Sequence, residues 1–105
     1  MKRMTLVQIL LPLYDDERKP LPGDVFERVR HELTERFGGL TAYTRSPAEG
    51  RWKQDERHVE ADDIVVFEVM VRHLAQAWWR AYRDELQRRF GQDVIIIRAQ
   101  ETRML

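Results

Sequence analysis

Apolar and β-branched residues run from Leu6 to Leu13 and stop at Tyr14-Asp15-Asp16, with Pro20 and Pro22 beyond, which predicts a buried strand too short and too interrupted for a helix. From Asp24 the period changes. Val25, Phe26, Val29, Leu33 and Phe37 recur at spacings of three and four, and Gly38-Gly39 supplies a stop, so a helix with one apolar stripe is expected. Leu40 to Arg45, rich in Thr and Tyr, reads as a second strand, broken by Ser46-Pro47-Ala48-Glu49-Gly50. Residues 51–61 are polar apart from Trp52, Val59 and Ala61 and read as a long excursion or irregular hairpin. Ile64 to Val71 is the strongest strand signal in the chain. Ala75, Trp78, Tyr82, Leu86 and Phe90 mark a second helix ending at Gly91, and Val94 to Ile97 a fourth strand that Ala99 to Leu105 either extends or leaves as a tail.

Strand, helix, strand, strand, helix, strand is the order of the split βαβ arrangement. The expected fold is therefore α+β, a single ferredoxin-like βαββαβ sandwich over residues 1–105, with an antiparallel sheet in the order 4-1-3-2 and both helices on one face. Side chains alternate across a strand, so each strand divides into two rows. Val7, Ile9, Leu11, Val65, Phe67, Val69, Val71, Ile95 and Ile97 form a wholly apolar row suited to lie under the helices. The opposite row is Leu6, Gln8, Leu10, Ile64, Val66, Glu68, Met70, Val94, Ile96 and Arg98. Seven of those ten are apolar, although the solvent face of an antiparallel sheet normally alternates to polar residues. A second copy of the chain is the expected cover, giving a homodimer through the helix-free face. Pairing of strand edges is the alternative geometry.

Composition narrows the choice. The chain has 105 residues, with 18 basic and 18 acidic side chains and zero formal charge, so a general polyanion binder is disfavoured and repulsion between identical copies is absent. A hydrophobic fraction of 43% is too high for a disordered chain. The absence of cysteine excludes disulfides, thiolate nucleophiles and cysteine metal sites. The apolar run near the N-terminus contains Gln8, ends at Pro12 and lacks a small-residue cleavage site, and no stretch approaches the roughly 20 apolar residues that span a bilayer. A cytoplasmic protein without membrane association is expected.

Gln8, Glu68 and Arg98 are the polar exceptions on the helix-free face, on three neighbouring strands. They form either a hydrogen-bonded row that fixes register or the lining of a cavity with one acid and one cation. His58, Glu60 and Asp62 would share one side of an extended segment but lack a second histidine at a paired spacing and read as a solvated acidic turn, and His31 and Glu35, one helical turn apart on a polar face, read as a surface pair. Trp78 fits the core stripe of the second helix, which leaves Trp79 at its edge over a loop or a subunit contact. Trp52 is read as pinning its loop to the sheet. Arg80, Arg83, Arg88 and Arg89 invite an RNA-binding reading that Asp84 and Glu85 dilute, so nucleic acid is not an expected partner. The only serine, Ser46, precedes a proline, and no phosphate-binding glycine loop is present; acid–base chemistry by Glu68, His58 or Tyr43 is what remains for an enzyme.

Phe37-Gly38-Gly39-Leu40-Thr41, Gly50-Arg51-Trp52, and Tyr82 followed by Phe90-Gly91-Gln92-Asp93-Val94 resemble the motifs of a bacterial family of small proteins known only as a domain of unknown function. That family carries a Phe-x-x-Gly-x-Thr turn, a Gly-x-Trp and a late Tyr…Phe-x-Gln…Val string; here Gly39 stands one position early. The resemblance implies a shared architecture and supplies no catalytic residue. The expected role is a homodimeric binding or interaction module with no cofactor and no bound metal. A small-molecule enzyme or sequestering protein of the dimeric α+β-barrel kind is the alternative. Candidate cavity or interface residues are Gln8, Tyr43, Trp52, His58, Glu68, Trp79 and Arg98.

Overall fold

The computed structural model describes residues 2–45 and 64–105; the excursion expected over 51–61, and with it Trp52 and His58, lies outside the described residues. Within them, β1 (Lys2–Pro12), α1 (Gly23–Phe37), β2 (Thr41–Arg45), β3 (Ile64–Val71), α2 (Gln76–Arg89) and β4 (Ile96–Met104) follow one another along the chain. β1 is central, antiparallel to both β3 and β4, and β2 pairs antiparallel with β3. The order β2-β3-β1-β4 is the expected 4-1-3-2 order read from the other edge. Each helix therefore joins two parallel strands that have a third, antiparallel strand between them.

Alternation along β1 and β3 divides the sheet as the sequence pattern requires, except that Val66 of the helix-free row is 1% exposed while Val65 of the core row is only half-buried. Val7, Ile9, Leu11, Phe67, Val69 and Val71 are buried in one core with Val29 and Leu33 of α1 and Trp79, Tyr82 and Leu86 of α2. Phe90 completes that core, its ring meeting Phe26 edge-on at 5.3 Å between centroids. Gly38 ends α1 in the left-handed region, at φ 84°, and donates its N–H to the Thr34 carbonyl at 2.8 Å. Gly91, at φ 61°, lets the chain leave α2, and Gln92 N–H closes back on the Gln87 carbonyl at 2.9 Å.

Three sequence expectations need correction. Trp79, not Trp78, is the core residue: Trp79 is 5% exposed while Trp78 is half-buried. At about 100° per residue, Trp79, Tyr82, Leu86 and Phe90 fall within one narrow sector, and Trp78 lies roughly 80° from its centre. Trp78 instead stacks on Tyr82 at 4.9 Å, meets Trp79 edge-on, and carries the Arg36 guanidinium at 4.2 Å. The fourth strand begins at Ile96 rather than Val94, so Val94, 71% exposed, precedes the strand instead of joining the helix-free row. β4 then continues through polar residues to Met104, and β1 begins at Lys2, because the two pair along Lys2↔Met104, Arg3↔Arg103 and Met4↔Thr102, beyond the last β3 partner of β1. Backbone pairing needs no hydrophobic alternation, so this ribbon left no pattern to read.

A charged network joins the helices. Arg89 of α2 donates Nη1 and Nη2 to the two Glu32 carboxylate oxygens of α1 at 2.8 and 2.9 Å, and Nε to Glu85 at 2.8 Å. The Tyr82 hydroxyl donates to Glu32 at 2.8 Å. Partial burial pushes the Glu32 carboxyl upward, but the hydrogen bonds from Arg89 and Tyr82 and the Arg89 and Arg28 charges outweigh it and hold its pKa below the ordinary value. The same arrangement raises the pKa of Tyr82 through burial and its bond to Glu32. Arg89 and Arg88, which suggested a nucleic-acid face in the sequence, are therefore committed to Glu32 and Glu85.

Candidate functional site

The helix-free face is built by cross-strand register. Gln8 of β1 stands opposite Glu68 of β3 on one side and Arg98 of β4 on the other, so one pleat position aligns three polar side chains across the sheet. Gln8 Nε2 donates to Glu68 Oε2 at 2.6 Å, and Arg98 Nε donates to Gln8 Oε1 at 2.8 Å. The amide thus links acid to cation, its donor end toward the carboxylate and its acceptor end toward the guanidinium. Tyr43 of β2 joins from the far side: its hydroxyl donates to the same Glu68 Oε2 at 2.8 Å. Tyr43 pairs in register with Val66, one row away, and its long side chain spans the offset diagonally.

Apolar side chains flank this row. Leu10 stands between Val66 and Ile96 on one side of it, and Leu6 stands beside Met70 on the other. Ile96 is 50% exposed and Met70 is 38% exposed, an uncommon cost for side chains of this size. Gln8 and Glu68 are half-buried and Tyr43 and Arg98 exposed, so in a single copy the row is a surface feature rather than a buried network. Both bonds to Glu68 fall on one oxygen, and Arg98 is held through Nε alone; among the described residues, Glu68 Oε1 and the two terminal nitrogens of Arg98 are open to another molecule.

The site therefore brings together four of the sequence candidates, Gln8, Tyr43, Glu68 and Arg98. Trp79 belongs to the helix side of the sheet, in the core, where its ring stacks on Phe37 at 5.3 Å, and it is not a residue of this face. Sequence reasoning left Tyr43 out of the row because nothing in a five-residue strand specifies its register against β3. It also missed a cleft on the helix side between α2 and β4, of about 160 Å³. The Gln76, Arg80 and Arg83 spacing of four and three along one helical stripe was the available signal for that cleft.

Among the described residues no helix is long and apolar enough to cross a membrane. Comparison of the chain with protein-family models, with curated proteins and with solved structures finds no match.

Proposed function

We propose that this chain is a small cytoplasmic interaction module of ferredoxin-like architecture that self-associates as a homodimer through the helix-free face of its sheet. The observation that carries this reading is the juxtaposition on that face of half-exposed apolar residues, Leu6, Leu10, Met70 and Ile96, with a polar row that is acidic at one end and basic at the other. Covering a few hundred Å² of such a surface contributes several kcal/mol of gross driving force, at about 25 cal/mol per Å². Zero net charge leaves no long-range repulsion to oppose it.

The row also favours one symmetry. A two-fold axis lying along β1 superimposes the rows of two copies in reversed order, which sets Glu68 of one over Arg98 of the other and closes their open atoms. An axis across the strands would set Glu68 on Glu68 and Arg98 on Arg98, an unfavourable arrangement in a desolvated interface. Isologous sheet packing with the first axis therefore supports closed dimers rather than open assemblies.

Sedimentation equilibrium at micromolar concentration tests the reading. A species of twice 12.7 kDa is expected, reduced to the monomer by Ile96→Glu, a substitution at a half-exposed position that leaves the core untouched. A wild-type chain that sediments as a monomer would overturn it. A second reading, acid–base chemistry on a small molecule held between paired sheets, draws on the Tyr43–Glu68 hydrogen bond at 2.8 Å. It requires an enclosed cavity in the dimer beside Glu68, whereas a dry interface favours the interaction module.

A further inference from the structure

The geometry points to a second binding site, on the helix side of the sheet: the cleft between the N-terminal half of α2 and the β4 edge accepts a small organic anion, a single carboxylate carried on a ring-sized apolar group. Leu74, Trp79 and Ile97 provide its apolar wall, and Arg80, Arg83 and Arg98 provide its basic side, Arg98 being shared with the polar row of the sheet. The cleft is open to solvent on one side and has a volume of about 160 Å³. Among the described residues, no carboxylate lines it.

Arg80 differs from four of the arginines elsewhere on the helices. Arg28, Arg30, Arg88 and Arg89 each face a glutamate. Arg80 has only a neutral partner, donating Nη2 to Gln76 Oε1 at 3.3 Å, and keeps its remaining N–H groups. Arg83 bonds Asp84 through Nε and Nη2 at 3.2 and 3.1 Å, an exposed pairing of adjacent residues that leaves Nη1 free. Among the described residues Arg80 thus has no carboxylate partner, and Arg83 keeps Nη1 beyond its pair with Asp84. The start of α2 adds to the same field: Ala75 makes no side-chain cap, the first turn carries no acidic residue, and Gln76, its first residue, lines the cleft. A guanidinium pair grips a carboxylate through charge-assisted bonds, while the Trp79 and Leu74 wall removes apolar surface from water.

Titration of the full chain with benzoate, followed by NMR of the Trp79 indole, the Ile97 methyls and the Arg80 Nε–H, tests the site. Benzyl alcohol supplies the ring without the charge and inorganic phosphate the charge without the ring. One saturable isotherm shared by the three probes is expected for benzoate. Loss of a charge-assisted bond corresponds to about tenfold or more in affinity, so benzyl alcohol and the Arg80→Gln variant should each be weaker by at least that factor. Arg88→Gln, outside the cleft, should leave binding unchanged. The proposal is overturned if millimolar benzoate gives no saturable shift, if benzyl alcohol or phosphate matches benzoate, or if Arg80→Gln binds like the wild type. Ile96→Glu should retain benzoate binding, which keeps this site separable from the proposed dimer.

Discussion

Gln8 and Glu68 face each other across the two central strands, and the Gln8 amide donates to a single carboxylate oxygen at 2.6 Å. That bond fixes the amide so that its oxygen is presented to Arg98, which occupies it at 2.8 Å. Amide orientation thus converts two separate charges into one polarised row with a defined direction across the sheet.

If two rows meet in reversed order, charge reversal at one end should matter only while the other end is unchanged. Glu68→Arg and Arg98→Glu are each expected to weaken self-association by about tenfold, the equivalent of about 1.4 kcal/mol. The double variant restores opposite charges in every pairing, and the Gln8 amide accommodates them by turning over. Sedimentation equilibrium of the four proteins checks this. A double variant as weak as the product of the singles would rule out the proposed axis.

The inter-helix network should carry more stability than the surface pairs it resembles. Arg89 is 13% exposed at its side chain and holds two carboxylates, whereas Arg88 is 68% exposed and holds only Glu85. Arg89→Ala leaves the partly buried Glu32 with only the Tyr82 hydroxyl and the exposed Arg28, and a cost of about 2 kcal/mol is expected from the loss of charge-assisted bonds. Arg88→Ala should cost no more than about 0.5 kcal/mol, as exposed pairs do. Urea unfolding midpoints of the two variants discriminate; equal shifts would refute the distinction.

Much of the architecture was legible because apolar period reports directly on burial. Val7, Ile9 and Leu11 read as one face of a strand and are fully buried, and Ile64–Val71 has the predicted bounds. The Gln8–Glu68–Arg98 row was legible for a related reason, since strand order and alternation together place residues opposite one another. Trp78 and Trp79 were exchanged because adjacent aromatics both satisfy a stripe, and only the sector shared with Phe90 separates them. The polar half of β4 was legible only as one of two alternatives, extension or tail, because it is held by backbone ladder bonds on an exposed edge. The Glu32–Arg89 pair, 57 residues apart, depends on how the two helices pack and has no local signature, although its Glu85–Arg89 arm has the ordinary spacing of four.

Stability should fall on acidification in a window set by Glu32. Its pKa is depressed in the folded chain relative to the ordinary 4.5, so the folded state binds fewer protons than the unfolded state just below that pH. The stabilisation is therefore complete above pH 4.5 and is lost as pH falls through the folded value. Tyr82 acts in the opposite sense at the alkaline end: its raised pKa keeps the proton on in the folded state, so stability declines as pH rises past 10.0. Urea midpoints across pH should show both limbs. Glu32→Gln should flatten the acid limb and Tyr82→Phe the alkaline one; unchanged slopes in these variants would exclude the network as their source.

The two consecutive glycines after α1 should behave differently despite equal space around them. Neither would meet any heavy atom within 4 Å if given a Cβ, so sterics with neighbours do not distinguish them. Gly38 alone has positive φ, at 84°, the conformation that lets its N–H reach the Thr34 carbonyl. Forcing an L-residue there costs roughly 1–2 kcal/mol, so Gly38→Ala should lower the unfolding temperature by several degrees. Gly39 needs no such backbone, and Gly39→Ala restricts only the unfolded chain, for a gain of up to about 1 kcal/mol. Calorimetric unfolding of the two variants should therefore move in opposite directions, and a shared direction would contradict the left-handed assignment of Gly38 as the helix stop.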